Sequence, residues 1–214
     1  VKPEVIKQYK EISKELIELC KSENFPYSFN VWSSQPFHFE LWYPIDEMND
    51  ISRIEETWDA IVEKFGSTKF SKFQDCIESQ SSKVMTTLLD LSYEPESPRL
   101  SEEEIGFCFW QEIHVKKGSE KTVEDIFKKG TAILKGKGIE GATYVGEGKI
   151  GYEQPVYFAW SYGKDLSDFM EQQKKDAELL GEEWSQLNSE LIKHIKDIIN
   201  SNESWVKELS YNSE

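Results

Sequence analysis

The chain has 214 residues, 38% hydrophobic and 13% aromatic, enough for a buried core in one large or two small domains, which excludes a disordered polymer. Forty acidic against twenty-five basic residues leave a formal net charge of −15, so nucleic-acid backbones and anionic membranes are repelled, and no basic patch in the sequence offsets this. Cys20, Cys76 and Cys108 are odd in number and outside any C-x-x-C spacing, so neither a disulfide framework nor a thiolate metal knot is expected.

In chain order, Ile6, Tyr9, Ile12, Leu16 and Leu19 recur at three- and four-residue steps and predict a helix. The stretches 27–32 and 37–43, around the turn-rich Ser33-Ser34-Gln35-Pro36, predict a β-hairpin. Ile54, Trp58, Ile61 and Phe65 restore helical spacing, Phe70, Phe73 and Ile77 continue it after Gly66, and 84–91 reads as a strand closing the first half. Two prolines and five acids within 94–104 mark a linker. Beyond it lie a strand over 107–115, a helix carrying Val123, Ile126, Phe127, Ile133 and Leu134, and strands at 143–146 and 156–162. A long helical stripe from Leu166 through Ile195 and Ile198 follows, then a closing strand at 205–209.

The halves repeat. Gln35-Pro36-Phe37-His38-Phe39 reappears as Gln154-Pro155-Val156-Tyr157-Phe158 at an offset of 119, which predicts Phe39 and Phe158 at equivalent strand positions. Phe65-Gly66 mirrors Leu180-Gly181, and Leu91-Ser92-Tyr93 mirrors Leu209-Ser210-Tyr211. The expected fold class is α+β, with two tandem ferredoxin-like βαββαβ units over 1–93 and 106–214 joined by the 94–105 linker. Val1 matches Val115 at a strand end, so the first strand of the first unit is expected to fall before Val1. Each unit leaves one sheet face bare, and two such faces can close into a barrel around a lumen. In this element order and its duplicated Gln-Pro strand the chain resembles the dimeric α/β-barrel superfamily, which includes antibiotic-biosynthesis monooxygenases, muconolactone isomerases and chlorite dismutases. The resemblance speaks to fold far more than to reaction.

Strand alternation assigns Phe37, Phe39, Leu41 and Tyr43 to the helix side and leaves His38, Glu40 and Trp42 for the lumen. On 107–115 the same rule leaves Cys108, Trp110, Glu112 and His114 opposite the helices. Two of the three histidines thus lie two residues from a glutamate and near a tryptophan. His114 and His38 are candidate general bases, with Glu112 and Glu40 orienting them, and Trp42, Trp110 and Tyr157 are candidate walls for a planar ligand. The same groups could ligate a metal, though strand positions two apart fix no ligand geometry and no metal is expected. They could equally satisfy one another in a polar interior. In haem-carrying relatives a helical histidine of the second unit ligates iron; His194 is the nearest match, but it falls outside the apolar register, which predicts exposure. Gly136–Gly141 and Gly146–Gly151 both fit G-x-G-x-x-G, yet neither opens a helix, so no dinucleotide and no other cofactor is expected.

Three functions remain open: an enzyme acting without a tightly held cofactor on a small aromatic molecule, a monooxygenase or isomerase by resemblance; a non-catalytic ligand-binding or stress-response barrel; and a pairing module whose sheet edges make homo-oligomers. A small molecule is the expected partner, with no nucleic acid and no membrane. The expected compartment is cytoplasmic, or exported if a leader precedes Val1.

Overall fold

The structure is a computed structural model describing residues 1–213. The chain forms two compact units: Val1–Ser81 together with the segment from Trp205 onward, and Ser82–Ser204.

In the first unit, α1 (Ile6–Ser22) is followed by the hairpin β1 (Asn30–Gln35) and β2 (His38–Trp42), then α2 (Asn49–Phe65) and α3 (Ser67–Asp75). The hairpin turn lies at Pro36-Phe37, one step later than the serine-rich stretch suggests, and β1 carries the irregularity between Trp32 and Gln35. Gly66, at φ 91°, separates α2 from α3 in a backbone conformation that side chains disfavour. Tyr9, Leu16, Ile17 and Cys20 of α1 bury against Phe25, Phe29, Val31 and Ile61, with Val206, Leu209 and Tyr211 from the C-terminal segment. That segment is tied in by paired backbone bonds between Phe29 and Tyr211 (2.8 and 2.9 Å) and by Val206 N–H donating to the Val31 carbonyl (2.7 Å).

The second unit holds β3 (Val84–Thr87), β4 (Phe107–Val115), α4 (Glu120–Lys137), β5 (Thr143–Ile150), β6 (Val156–Gly163), α5 (Leu166–His194) and all but the last residue of β7 (Ile195–Trp205). Its strands run β7-β4-β6-β5-β3, each antiparallel to its neighbour. From β4 to β7 the order of elements is βαββαβ, the ferredoxin-like plan, with both helices on one sheet face. Gly181 (φ 61°, ψ −147°) breaks α5 as Gly66 breaks the helices of the first unit, so the paired glycines of the repeat have the same structural use.

Three sequence expectations are corrected. The 84–91 strand ends at Thr87 and pairs with β5, so it completes the second unit rather than closing the first. An unpaired β5 edge needs a hydrogen-bonding partner, and this segment supplies it. Ile195 and Ile198 do not extend α5 but lie in β7, opposite Val115 and Ile113 of β4. An apolar run of this length suits helix or strand, and the open β4 edge decides for strand. The closing strand expected at 205–209 is instead the end of β7 followed by a 3₁₀ turn at Lys207–Leu209.

Candidate functional site

Along β4, Phe107 and Phe109 pack on Phe169 of α5, with ring centroids 5.3 and 5.4 Å apart. Ile113 and Val115 join Val123 of α4 and Tyr157 in one buried cluster. The alternation therefore turns Cys108, Trp110, Glu112 and His114 away from the helices. Their cross-strand neighbours on β6 are Tyr162, Trp160, Phe158 and Val156, which share that face.

On it the aromatic rings form a ladder. Tyr144 stacks on Trp160 (5.5 Å), Trp160 on Trp110 (5.1 Å), Trp110 tilts against Phe158 (5.0 Å), and Phe158 meets Tyr152 (4.9 Å). Two glycines of β5 make room for it: a Cβ on Gly146 would come within 3.2 Å of Trp160, and one on Gly148 within 2.9 Å of Tyr152 and 2.6 Å of Val156. The second G-x-G string is thus a strand that rings lie across, while the first belongs to the end of α4 and the loop after it. Burial, with Glu94 nearby, pushes the Tyr144 phenol up to about 12.

Glu112 and His114 follow the ladder along β4. Their side chains meet at 2.9 Å between Glu112 Oε1 and His114 Nε2 and are only 22% and 14% exposed. With the carboxylate at Nε2, a neutral imidazole carries its proton there and presents Nδ1 as the basic nitrogen. His114 also borders a cavity of about 250 Å³ completed by Val115, Lys116, Lys117, Glu153, Gln154, Pro155 and Lys196. Trp110 and Glu112 do not line it. Glu153 and Lys196 pair at 2.7 Å, which holds the carboxyl below and the ammonium above their ordinary ranges.

In the first unit His38 Nε2 lies 3.0 Å from Glu40 Oε1, but these side chains are 59% and 31% exposed. Phe39 packs on Tyr9 of α1 (5.1 Å) and Tyr43 accepts a hydrogen bond from the Trp58 indole of α2 (2.9 Å), so His38, Glu40 and Trp42 share the face averted from the helices. Trp32, opposite Glu40, stacks on Trp205 at 5.6 Å.

Tyr157 does not belong with these groups. It is buried on the helix side of β6, its hydroxyl donates to Glu124 of α4 at 2.9 Å, and burial followed by that carboxylate raises its pKa. The 119 offset aligns Tyr157 with His38 and Phe158 with Phe39, yet Phe39 faces helices and Phe158 faces away from them. The two residues occupy the second strand of their hairpins on opposite faces, because a one-residue difference in register inverts a strand. His194 is half-buried rather than exposed: Nδ1 lies 3.2 Å from Ser119 Oγ and Nε2 3.5 Å from Glu190. Among the described residues no group of three or more His, Cys, Asp or Glu could hold a metal ion, and no helix is long and apolar enough to cross a membrane.

The sequence reading missed Tyr144, Tyr152, Phe158 and Trp160 as ladder members. The β6 alternation would have found Phe158 and Trp160 had its phase been read from Val156, rather than from the repeat.

No family model and no curated protein matches the chain. Among solved structures it is similar to an anthrone oxidase-like protein, at 14% identity and TM-score 0.58 over 96% of this chain and 86% of that one. It is also similar to a candidate monooxygenase from Lactobacillus acidophilus NCFM, at 7% identity and TM-score 0.54 over 98% and 90%. Likeness at this level shows the fold alone, an α+β fold whose second unit follows the ferredoxin-like order.

Proposed function

We propose that the second unit binds a small planar aromatic molecule beside the Tyr144–Trp160–Trp110–Phe158 ladder, and that His114, oriented by Glu112, serves as general base in its oxygenation without a tightly held cofactor. The observation that carries this reading is the half-buried 2.9 Å Glu112–His114 contact on the same sheet face as the ladder. The names of the two structural neighbours, an anthrone oxidase-like protein and a candidate monooxygenase, favour the same chemistry.

A methylene flanked by aryl rings and conjugated to a carbonyl, as in an anthrone, is acidic enough for an imidazole to deprotonate in a site that excludes water. His114 Nδ1 takes that proton while Glu112 stabilises the imidazolium. The carbanion passes one electron to dioxygen, and superoxide recombines with the carbon radical to form a C–O bond. The imidazolium protonates the resulting peroxide, which loses water to leave a ketone. In balance, the methylene compound and one dioxygen give the ketone and one water: the methylene carbon loses both hydrogens, one oxygen atom becomes the new carbonyl and the other leaves as water.

Oxygen uptake with anthrone, for the wild type, His114→Ala and Glu112→Gln, tests this. Uptake is expected in the wild type and a loss of about 10²–10⁴-fold in His114→Ala. Uptake that survives His114→Ala undiminished sinks the assignment. A second reading, binding without turnover, is favoured by how fully the ladder rings cover one another, Phe158 being 1% and Trp160 8% exposed. Saturable anthrone binding with no oxygen uptake selects that reading.

A further inference from the structure

We infer that the cavity beside His114 is an anion subsite, and that the aromatic ligand proposed above carries a carboxylate which this subsite receives. The inference rests on the aromatic-ligand reading and adds the charge of the substrate to it.

Three of the eight lining residues are lysines, Lys116, Lys117 and Lys196, against one acid, Glu153, in a chain whose net charge is −15. The lining therefore runs against the charge of the protein as a whole. The lysines are not spent equally. Glu153 pairs with Lys196 at 2.7 Å, and the Lys116 ammonium donates to the Lys193 carbonyl at 2.7 Å, a neutral acceptor that leaves its charge uncompensated. Lys117, exposed in the turn after β4, has no hydrogen bond or ion pair among the described residues. Glu112, held by the imidazole, and Asp197, register partner of His114 on β7 and a neighbour of Lys196, do not line the cavity.

Lys196 reaches this position through a β-bulge. His114 opposes Asp197 and Val115 opposes Ile195, so Lys196 is the extra residue of β7, without a partner on β4. A bulge frees one side chain from the alternation of its strand and re-aims it. Here the freed side chain borders the cavity that His114 also borders. At about 250 Å³ the space lies just under the usual range of ligand pockets, roughly 300–1,000 Å³, which suits one polar substituent better than a ring system. The geometry points to a ligand whose carboxylate sits among the lysines while its ring passes His114 toward Trp110.

Calorimetric titration with 2-naphthoate and its neutral isostere 2-naphthamide, at low and high salt, tests this in the wild type, Lys117→Gln and Lys196→Gln. Both positions are exposed, so the variants are expected to fold. The naphthoate is expected to bind at least about tenfold more tightly than the amide at low salt, to lose most of that advantage at 1 M salt, where the Debye length falls to about 3 Å, and to weaken several-fold in each lysine variant while the amide is unchanged. Equal affinity for the two probes, or a naphthoate preference that ignores both lysines, overturns the anion subsite and leaves the aromatic-ligand reading standing. Failure of both probes to bind overturns both.

Discussion

His38–Glu40 in the first unit and Glu112–His114 in the second are built alike. Each places a histidine and a glutamate two residues apart on a strand face averted from the helices, near a tryptophan, with a contact of 3.0 or 2.9 Å. They differ in what surrounds them. β4 lies between β6 and β7, so its face is continued on both sides by neighbouring strands, whereas the strand pairing described for β2 is with β1 alone. The first pair is mostly solvated and the second mostly enclosed. The same pair of groups is a weak surface contact in water and a directed one where water is excluded. The neighbours on adjacent strands, rather than the His-x-Glu pattern, thus separate a solvated pair from a candidate base.

The sharpest way to break the comparison is to delete each histidine in turn. Oxygen uptake is expected to fall about 10²–10⁴-fold in His114→Ala and to stay unchanged in His38→Ala, and equal losses would erase the distinction. The tryptophans come next. Trp160→Ala, which removes the centre of the ladder, is expected to cost about 3–5 kcal/mol in urea unfolding. Trp42→Ala, on a less buried strand, should cost clearly less. Gly148→Ala places a methyl where Val156 and Tyr152 already sit and is expected to cost about 1–3 kcal/mol.

Acid titration gives a smaller contrast. Arg99 donates to both Asp168 carboxylate oxygens (2.9 and 2.7 Å), and these bonds hold Asp168 below its ordinary 3.8. The pair's contribution is thus present above pH about 4 and is lost as pH falls through the depressed value. Arg99→Met should flatten that acid limb, while Arg53→Met should leave it almost unchanged, because Arg53 is itself exposed and Asp50 is held low first by the backbone N–H of Glu47. Asp176 has the opposite sign, because burial raises its carboxyl. Its contribution is present below pH 3.8 and lost as pH rises through the raised value, so Asp176→Asn should gain stability at pH 7 and none at pH 3. The smallest effect expected is on stability in His38→Ala, within about 0.5 kcal/mol.

The helices of both units, the ferredoxin-like element order of the second and the facing of Glu112 and His114 were legible because they rest on local periodicity. Tyr157 was misassigned for a related reason. The repeat matched residue types across β2 and β6, but facing depends on strand phase, and here the two disagree. The linker stretch likewise shows nothing in sequence of Arg99 reaching Asp168, which lies 69 residues away.

By itself the sequence determined the amphipathic helices and the strand face that carries Trp110, Glu112 and His114, because side-chain periods of 3.6 and 2 residues are written into neighbouring positions. Only the tertiary structure decided which edge receives Val84–Thr87, that Ile195 and Ile198 are strand, and that Lys196 joins Lys116 and Lys117 beside His114. Those outcomes depend on which unpaired backbone edges are available and on where a bulge falls, and residues some eighty positions apart carry no local sign of meeting.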